Sequence, residues 1–223
     1  MAKLVWGASG DKRYETGVDH GVLYVKDSTA NEGNGYSKGV AWNGLTAVTE
    51  SPSGAEATAI FADNVKYLSL VSAEEFGATI EAYTYPDEFA KCDGSASLGE
   101  GVNIGQQSRT TFGFTYRTKI GDDENNDAAG YKIHIIYNCL AAPSEKAYAS
   151  VNDSPEAITL SWEVTTTPVP VTGFKPTASL TIDSTKIVAT KLAAIEAKLY
   201  GTTTAEPSIL LPDEIKAILD ATT

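Results

Sequence analysis

Ser154-Pro155-Glu156-Ala157-Ile158-Thr159-Leu160-Ser161-Trp162-Glu163-Val164-Thr165-Thr166-Thr167-Pro168 is the stretch that decides the fold. Side chains of an extended strand alternate between two faces, so Ile158, Leu160, Trp162 and Val164 share one face. Thr159, Ser161, Glu163 and Thr165 share the other. This is the pattern of a sheet packed on one side and wet on the other. β-Branched and aromatic residues suit the pleated surface, and Pro155 and Pro168 fence the run because proline cannot donate to a ladder.

Working outward, the same alternation recurs. Phe76, Ala78, Ile80 and Ala82 oppose Thr79, Glu81 and Tyr83 within a strand predicted over Phe76 to Tyr85. Arg109 to Ile120 sets Phe112, Phe114, Tyr116 and Ile120 against Arg117 and Lys119. It runs through the acidic stretch Asp122-Asp123-Glu124-Asn125-Asn126-Asp127 into Tyr131 to Cys139, which predicts a hairpin with a charged tip. On that return strand Tyr131, Ile133, Ile135, Tyr137 and Cys139 are expected on one face, with Ile136 the exception among Lys132, His134 and Asn138. Shorter strands are predicted at Val22 to Val25, Lys66 to Ser72 and Ala178 to Ile182, with loop or a short edge strand at Gly99 to Gly105. Pro86 opens a single helical turn through Ala90.

Two segments change period. Val188, Leu192, Ile195 and Leu199 recur at helical spacing, with Asp183 and Ser184 as candidate caps and Gly201 as the stop, which predicts a helix over 187–200. Pro212-Asp213-Glu214 opens a short terminal helix over 211–220 that carries Ile215, Ile218 and Leu219. The fold class is therefore mainly β: a sandwich or barrel with one flanking amphipathic helix and a short C-terminal helix, in a single domain over 1–223.

Two parts resist this scheme. Residues 1–21 read as an arm ending in a turn at Gly17, Asp19 and Gly21. Residues 26–63 are rich in glycine and lack periodicity; such long loops are either functional or disordered. Yet this segment carries Tyr36, Val40, Trp42, Leu45, Val48, Ile60 and Phe61, and leaving them in water costs free energy. An extended assembly loop that lies on another subunit, folded into a hairpin, accommodates both features.

With 17 Lys plus Arg against 29 Asp plus Glu, the net charge is −12, and such a surface repels nucleic acid. No run approaches the roughly 18 apolar residues of a membrane helix. The opening residues Met1 to Gly7 show no apolar stretch of signal-peptide length, so cytoplasmic synthesis is expected, with Cys92 and Cys139 as reduced, buried thiols. Neither His20 nor His134 shares a ligand spacing with another candidate, and Glu74 and Glu75 would point to opposite faces of a strand. The acidic hairpin tip lacks the glycine and terminal glutamate of a calcium loop, and Gly101 to Gly105 lacks the lysine of a phosphate loop. The sequence predicts no enzyme, no cofactor and no metal.

Several stretches together resemble the major tail protein of long-tailed, non-contractile phages of Gram-positive hosts. They are Tyr14-Glu15-Thr16-Gly17-Val18-Asp19, Ala41-Trp42-Asn43-Gly44-Leu45, Glu74-Glu75-Phe76-Gly77-Ala78 and Glu81-Ala82-Tyr83-Thr84-Tyr85-Pro86. Asn152-Asp153-Ser154-Pro155, Ser161-Trp162-Glu163-Val164, Thr181-Ile182-Asp183-Ser184 and Leu199-Tyr200-Gly201 continue the likeness along nearly the whole chain. The resemblance implies a virion subunit, made in the host cytoplasm, that forms hexameric rings stacked into a tube. It implies contacts with itself and with tape-measure, tail-terminator and distal tail proteins, and DNA as a cargo that does not stick; the extra immunoglobulin-like domain that some relatives append is not expected here, since little sequence follows the C-terminal helix. Thr159, Ser161, Glu163, Thr165 and Glu81 are the candidate lumen residues, being hydroxyls and carboxylates on wet strand faces. The alternative is a secreted-type β-sandwich that binds carbohydrate or serves adhesion.

Overall fold

The computed structural model describes residues 4, 6, 7, 9, 10, 12–27, 29, 34–151, 153 and 156–221. Its first strand, β1 (Tyr14–Val25), begins well inside the expected N-terminal arm. Gly17 and His20 have positive φ (68° and 53°), and the register with the neighbouring strand shifts between Thr16 and Asp19 and again before Val22. Bulges absorb the extra residues, so the glycines twist the strand and do not end it. The rest of the expected arm includes residues outside those described.

Thirteen further strands follow: β2 (Val40–Trp42), β3 (Leu45–Glu50), β4 (Ser53–Gly54), β5 (Ala57–Ala62), β6 (Val65–Val71), β7 (Glu74–Glu75), β8 (Gly77–Ala82), β9 (Ala96–Gly99), β10 (Val102–Ile104), β11 (Phe112–Asp122), β12 (Asn126–Ala141), β13 (Leu160–Thr166) and β14 (Ser179–Asp183). A 3-10 turn, Asp87–Lys91, stands where Pro86 predicts one, and the helices are α1 (Ala189–Tyr200) and α2 (Pro212–Asp220).

Eight strands form one sheet in the order β2-β1-β11-β12-β13-β8-β3, with β14 also paired to β12. The sheet folds over on itself, so β13, β8 and β3 face β1, β11 and the sandwich side of β12. Trp42, Ile80, Phe89, Phe112, Phe114 and Trp162 fill the space between. Leu45 of β3 lies against Gly21 of β1, and no ladder joins the two ends, which leaves a sandwich and not a closed barrel.

In β13 the alternation is as the sequence predicts: Trp162 and Val164 are buried, while Glu163 and Thr165 are exposed. The strand starts at Leu160, so Thr159 and the exposed Ile158 lie before it, and Ser154 and Pro155 fall outside the described residues.

A second core covers the opposite face of the ribbon. Val22, Tyr24, Ile133, Ile135, Tyr137 and Ile182 meet Leu192, Ile195 and Leu199 of α1 and Ile215 of α2. β12 serves both cores. Phe112 pairs with Cys139 and Phe114 with Ile136, so two steps on β11 match three on β12, and Asn138 takes φ 46° to absorb the excess. This bulge corrects the sequence reading: Cys139 turns to the sandwich side with Ile136, while Tyr137 stays with Ile133 and Ile135.

α1 carries the predicted stripe, though Val188 is exposed at its N-cap. Asp183 does not cap it. Its carboxylate accepts hydrogen bonds from the backbone and hydroxyl of Thr185 in the preceding turn. Gly201 (φ 77°) ends the helix, and the Tyr24 hydroxyl donates to the carbonyl of Leu199 at 2.6 Å, satisfying a terminal acceptor. α2 starts at Pro212, and Glu214 reaches back to accept from the Leu211 N–H at 2.7 Å.

Candidate assembly surfaces

The 26–63 segment divides into a packed half and a projecting half. Trp42, expected as an interface anchor, is a core residue, 2% exposed. Its ring lies 4.6 Å from Phe89, 5.4 Å from Phe114 and 5.5 Å from Trp162. Tyr36 is likewise buried, its hydroxyl donating to Asn138 Oδ1 at 2.8 Å. Leu45 and Val48 pack partly buried against the sandwich core, and Val40 is half-buried at the end of β2. The physical reason is the tight turn at Asn43-Gly44, with Gly44 at φ 77°: it brings β2 and β3 to opposite ends of the one sheet and seals the core with Trp42. Of the seven expected anchors, only Ile60 and Phe61 are exposed.

Those two belong to an arm spanning 51–76. β5 and β6 pair with each other, β4 pairs with β7 at the root, and neither pair joins the large sheet. The tip turns through Asp63 and Asn64, both at positive φ (50° and 65°), as a two-residue hairpin requires. Ile60, Phe61, Val65, Tyr67, Leu68, Leu70 and Val71 are all exposed, Phe61 at 68% and Tyr67 at 69%. A two-stranded hairpin is marginal alone in water, and this one carries apolar side chains that nothing among the described residues covers. The sequence reading missed its second strand as a surface. Val65 to Val71 reads like any core strand, and the sole hint is that no continuous polar face accompanies its apolar residues.

A smaller hairpin, β9 with β10, also stands apart from the large sheet and exposes Leu98, Val102 and Ile104. It follows the 3-10 turn, and Gln107 N–H donates to the Gly94 carbonyl at its base at 2.9 Å.

The expected lumen residues fall on one surface, the outer face of β13-β8-β3. Ser161 stands opposite Glu81 and Glu163 opposite Thr79, while Thr49 of β3 stands on the other side of Thr79. Thr165 continues the row, and Thr159 lies exposed just before β13. These three strands contain no lysine or arginine. The basic residues of β11 are engaged elsewhere: Arg117 Nε donates to Asp19 Oδ1 at 2.8 Å, and Lys119 Nζ to Asp127 Oδ2 at 2.9 Å.

Both histidines have acidic neighbours, His20 the adjacent Asp19 and His134 the sequence-remote Glu50. His20 Nδ1 lies 2.8 Å from Asp19, which the Arg117 guanidinium also holds. Burial opposes ionisation of Asp19, but the bonds from Arg117 and then His20 outweigh it and keep the carboxyl below its ordinary range. His134 stacks on Tyr116 at 4.6 Å, with Nε2 3.0 Å from Thr118 Oγ1 and Nδ1 3.5 Å from Glu50 Oε1. A hydroxyl, an imidazole and a carboxylate in that order have the makings of a nucleophile and its base. Thr118, however, lies inside a ladder-bonded strand opposite Lys132, not on a turn that could aim N–H groups at a reacting oxygen. The arrangement instead ties the layers together, since Glu50 comes from β3 and its partners from β11 and β12. Among the described residues no group of three or more His, Cys, Asp or Glu side chains is placed to hold a metal ion. No described helix is long and apolar enough to cross a membrane. Both thiols are buried, and burial pushes Cys92 up to about 12.

The class these features define is an open two-layered β protein with a helical flank and two projecting hairpins. No family model matches the chain, and no curated protein matches it in sequence.

Proposed function

We propose that the chain is a structural subunit of the phage tail-tube type, which assembles with copies of itself into stacked rings around a channel for DNA. The observation that carries the proposal is the β5–β6 arm, with its seven exposed large apolar residues and no strand partner outside the arm among the described residues. Interface energy concentrates in such side chains, and strand edges need pairing. The outer face of β13-β8-β3 suits the channel wall: its carboxylates repel phosphate, and its hydroxyls offer DNA only exchangeable contacts. Glycan binding is less well supported, because the exposed aromatics Phe61 and Tyr67 share the arm with five exposed aliphatic side chains, a composition that suits a protein partner.

The test is sedimentation over a range of concentrations with negative-stain electron microscopy, for the full chain and for one with 53–75 replaced by a short Gly-Ser turn. Rings or tubes from the full chain and monomers from the shortened one are expected. A full chain that stays monomeric at every concentration overturns the proposal.

A further inference from the structure

We infer that the Asn43-Gly44 turn is a self-modification site, at which Asn43 deamidates through a cyclic imide and lengthens the link that seals the sandwich core. The reaction needs no partner, so it proceeds in the single chain whether or not copies assemble.

The chemistry lies within the backbone. The Gly44 nitrogen bonds to Asn43 Cγ and gives up its proton, while the bond from Cγ to the side-chain nitrogen breaks. That nitrogen takes up a proton and leaves as ammonia. Water then opens the five-membered imide at one of its two carbonyls. One opening leaves aspartate at position 43. The other leaves isoaspartate, in which the main chain runs through the former side chain. One water enters and one ammonia departs, with no oxidant or reductant consumed.

Glycine after asparagine favours this step because no Cβ crowds the attacking nitrogen. Asn-Gly occurs at Asn34-Gly35 and Asn43-Gly44, and Asp93-Gly94 could reach the same imide by losing water. Local structure separates the three. Asn34 is half-buried, its side-chain nitrogen donating to the Ile209 carbonyl at 2.6 Å and to Ser208 Oγ at 3.3 Å. Its Oδ1 accepts from the Tyr36 N–H at 3.3 Å, and ring closure must break these bonds. Asp93 is buried, with its carboxylate held by Lys146 and Trp162. Asn43 is exposed, and among the described residues neither its side chain nor the Gly44 N–H has a hydrogen-bond partner. It lines a surface pocket of about 430 Å³ with His20, Gly39, Tyr200 and Pro207, so water reaches the side chain.

The position gives the change a structural consequence. Asn43 and Gly44 are the whole connection between β2 and β3. Both sides of it are anchored to one short segment: Trp42 Nε1 donates to the Thr84 carbonyl at 2.8 Å, and the Tyr83 N–H donates to the Gly44 carbonyl at 2.9 Å. Isoaspartate places one more methylene between those two anchors. A packed core registers a single methylene, so either Trp42 shifts against Phe89 and Trp162 or an anchor breaks.

The experiment is ageing of the full chain in mildly alkaline buffer, folded and in urea, followed by peptide mapping with fragmentation that tells isoaspartate from aspartate. In urea both Asn-Gly pairs should gain about 1 Da at similar rates. In the folded chain Asn43 should react roughly tenfold or more faster than Asn34, whose hydrogen bonds must open first. An Asn43 protected by folding as strongly as Asn34 overturns the assignment. Fresh Asn43→Asp adds the charge without lengthening the chain and should keep the parent's unfolding midpoint. The isoaspartate-bearing fraction of the aged chain, separated by ion exchange, should unfold at lower urea. Asn43→Gln, whose larger ring closes slowly, should keep its midpoint through the same ageing. An isoaspartate-bearing fraction with the parent's midpoint overturns the coupling to the core.

Discussion

The Tyr116 hydroxyl donates to Glu50 Oε1 at 2.7 Å, joining β11 to β3 across the mouth of the sandwich. The His134 imidazole contributes most to holding the Glu50 carboxyl below its ordinary range; burial opposes this and Tyr116 adds to it. A carboxyl with a depressed folded-state pKa stabilises the fold above its unfolded value of about 4.5, and that stability is lost as pH falls through the folded value. Glu50→Gln should cost about 1 kcal/mol at neutral pH, the modest figure reflecting partial exposure. Urea midpoints of both chains should converge as pH is lowered through the carboxylate range; a constant gap would disprove the linkage.

Trp42→Ala should destabilise the folded chain by about 3–5 kcal/mol, the cost of a large cavity in a packed core. It also removes the bond from Nε1 to the Thr84 carbonyl at 2.8 Å. Phe61→Ala should stay within about 0.5 kcal/mol of the parent, as surface changes do. Chemical denaturation of both variants separates core from surface within a single stretch of sequence.

Asp93 is buried beneath the 3-10 turn, accepting from Lys146 Nζ at 2.6 Å and Trp162 Nε1 at 3.1 Å, with Arg109 4.0 Å away. Asp93→Ala strands two cations and an indole N–H, and should cost about 3 kcal/mol. Asp93→Asn keeps one acceptor and should cost less. Thermal unfolding compares them; equal losses would show that the polar contacts matter little.

Alkaline titration should report buried phenols. Burial pushes Tyr36 up to about 12, and burial together with the bond to Glu196 does the same for Tyr131. A raised folded-state value means stability intact below the ordinary value near 10 and lost as pH climbs above it. Ultraviolet titration should show a late set of phenols that ionise early once urea is added.

Glu81→Lys with Glu163→Lys reverses the sign of the polar face on β8 and β13. Low-salt binding of DNA by the assembled protein should rise and should weaken with added salt. No change in DNA retention would remove this face from the channel wall.

Much of the fold is legible in the residues because one bare face keeps its alternation visible. Leu160 to Thr166 is the clearest case, and Phe112 to Ala141 nearly as clear, since a charged tip separates two apolar strands. The α1 stripe reads equally well because three of its four residues are buried. The N-terminal half of β1 is hidden by Gly17 and His20, whose left-handed backbone breaks the period that a pattern search relies on. Trp42 sits in a strand of three residues, too short to show which way it points. The arm is harder still. Val65, Tyr67 and Leu70 have the composition of core residues, and only the path of the chain reveals that they stand exposed. Glu50 and His134 lie 84 positions apart by their numbers, so no local spacing joins them.

The bulge at Asn138 has a thermodynamic consequence. Because β12 sends Ile136 and Cys139 into one core and Ile135 and Tyr137 into the other, neither core can open without stripping a face from the same strand. The helical flank cannot peel off as a separate melting unit, and the backbone amides of Ile133 to Tyr137 should exchange with deuterium only when the whole body unfolds. The arm, sharing no strand with either core, should exchange freely at the same time, giving one molecule with two sharply different clocks.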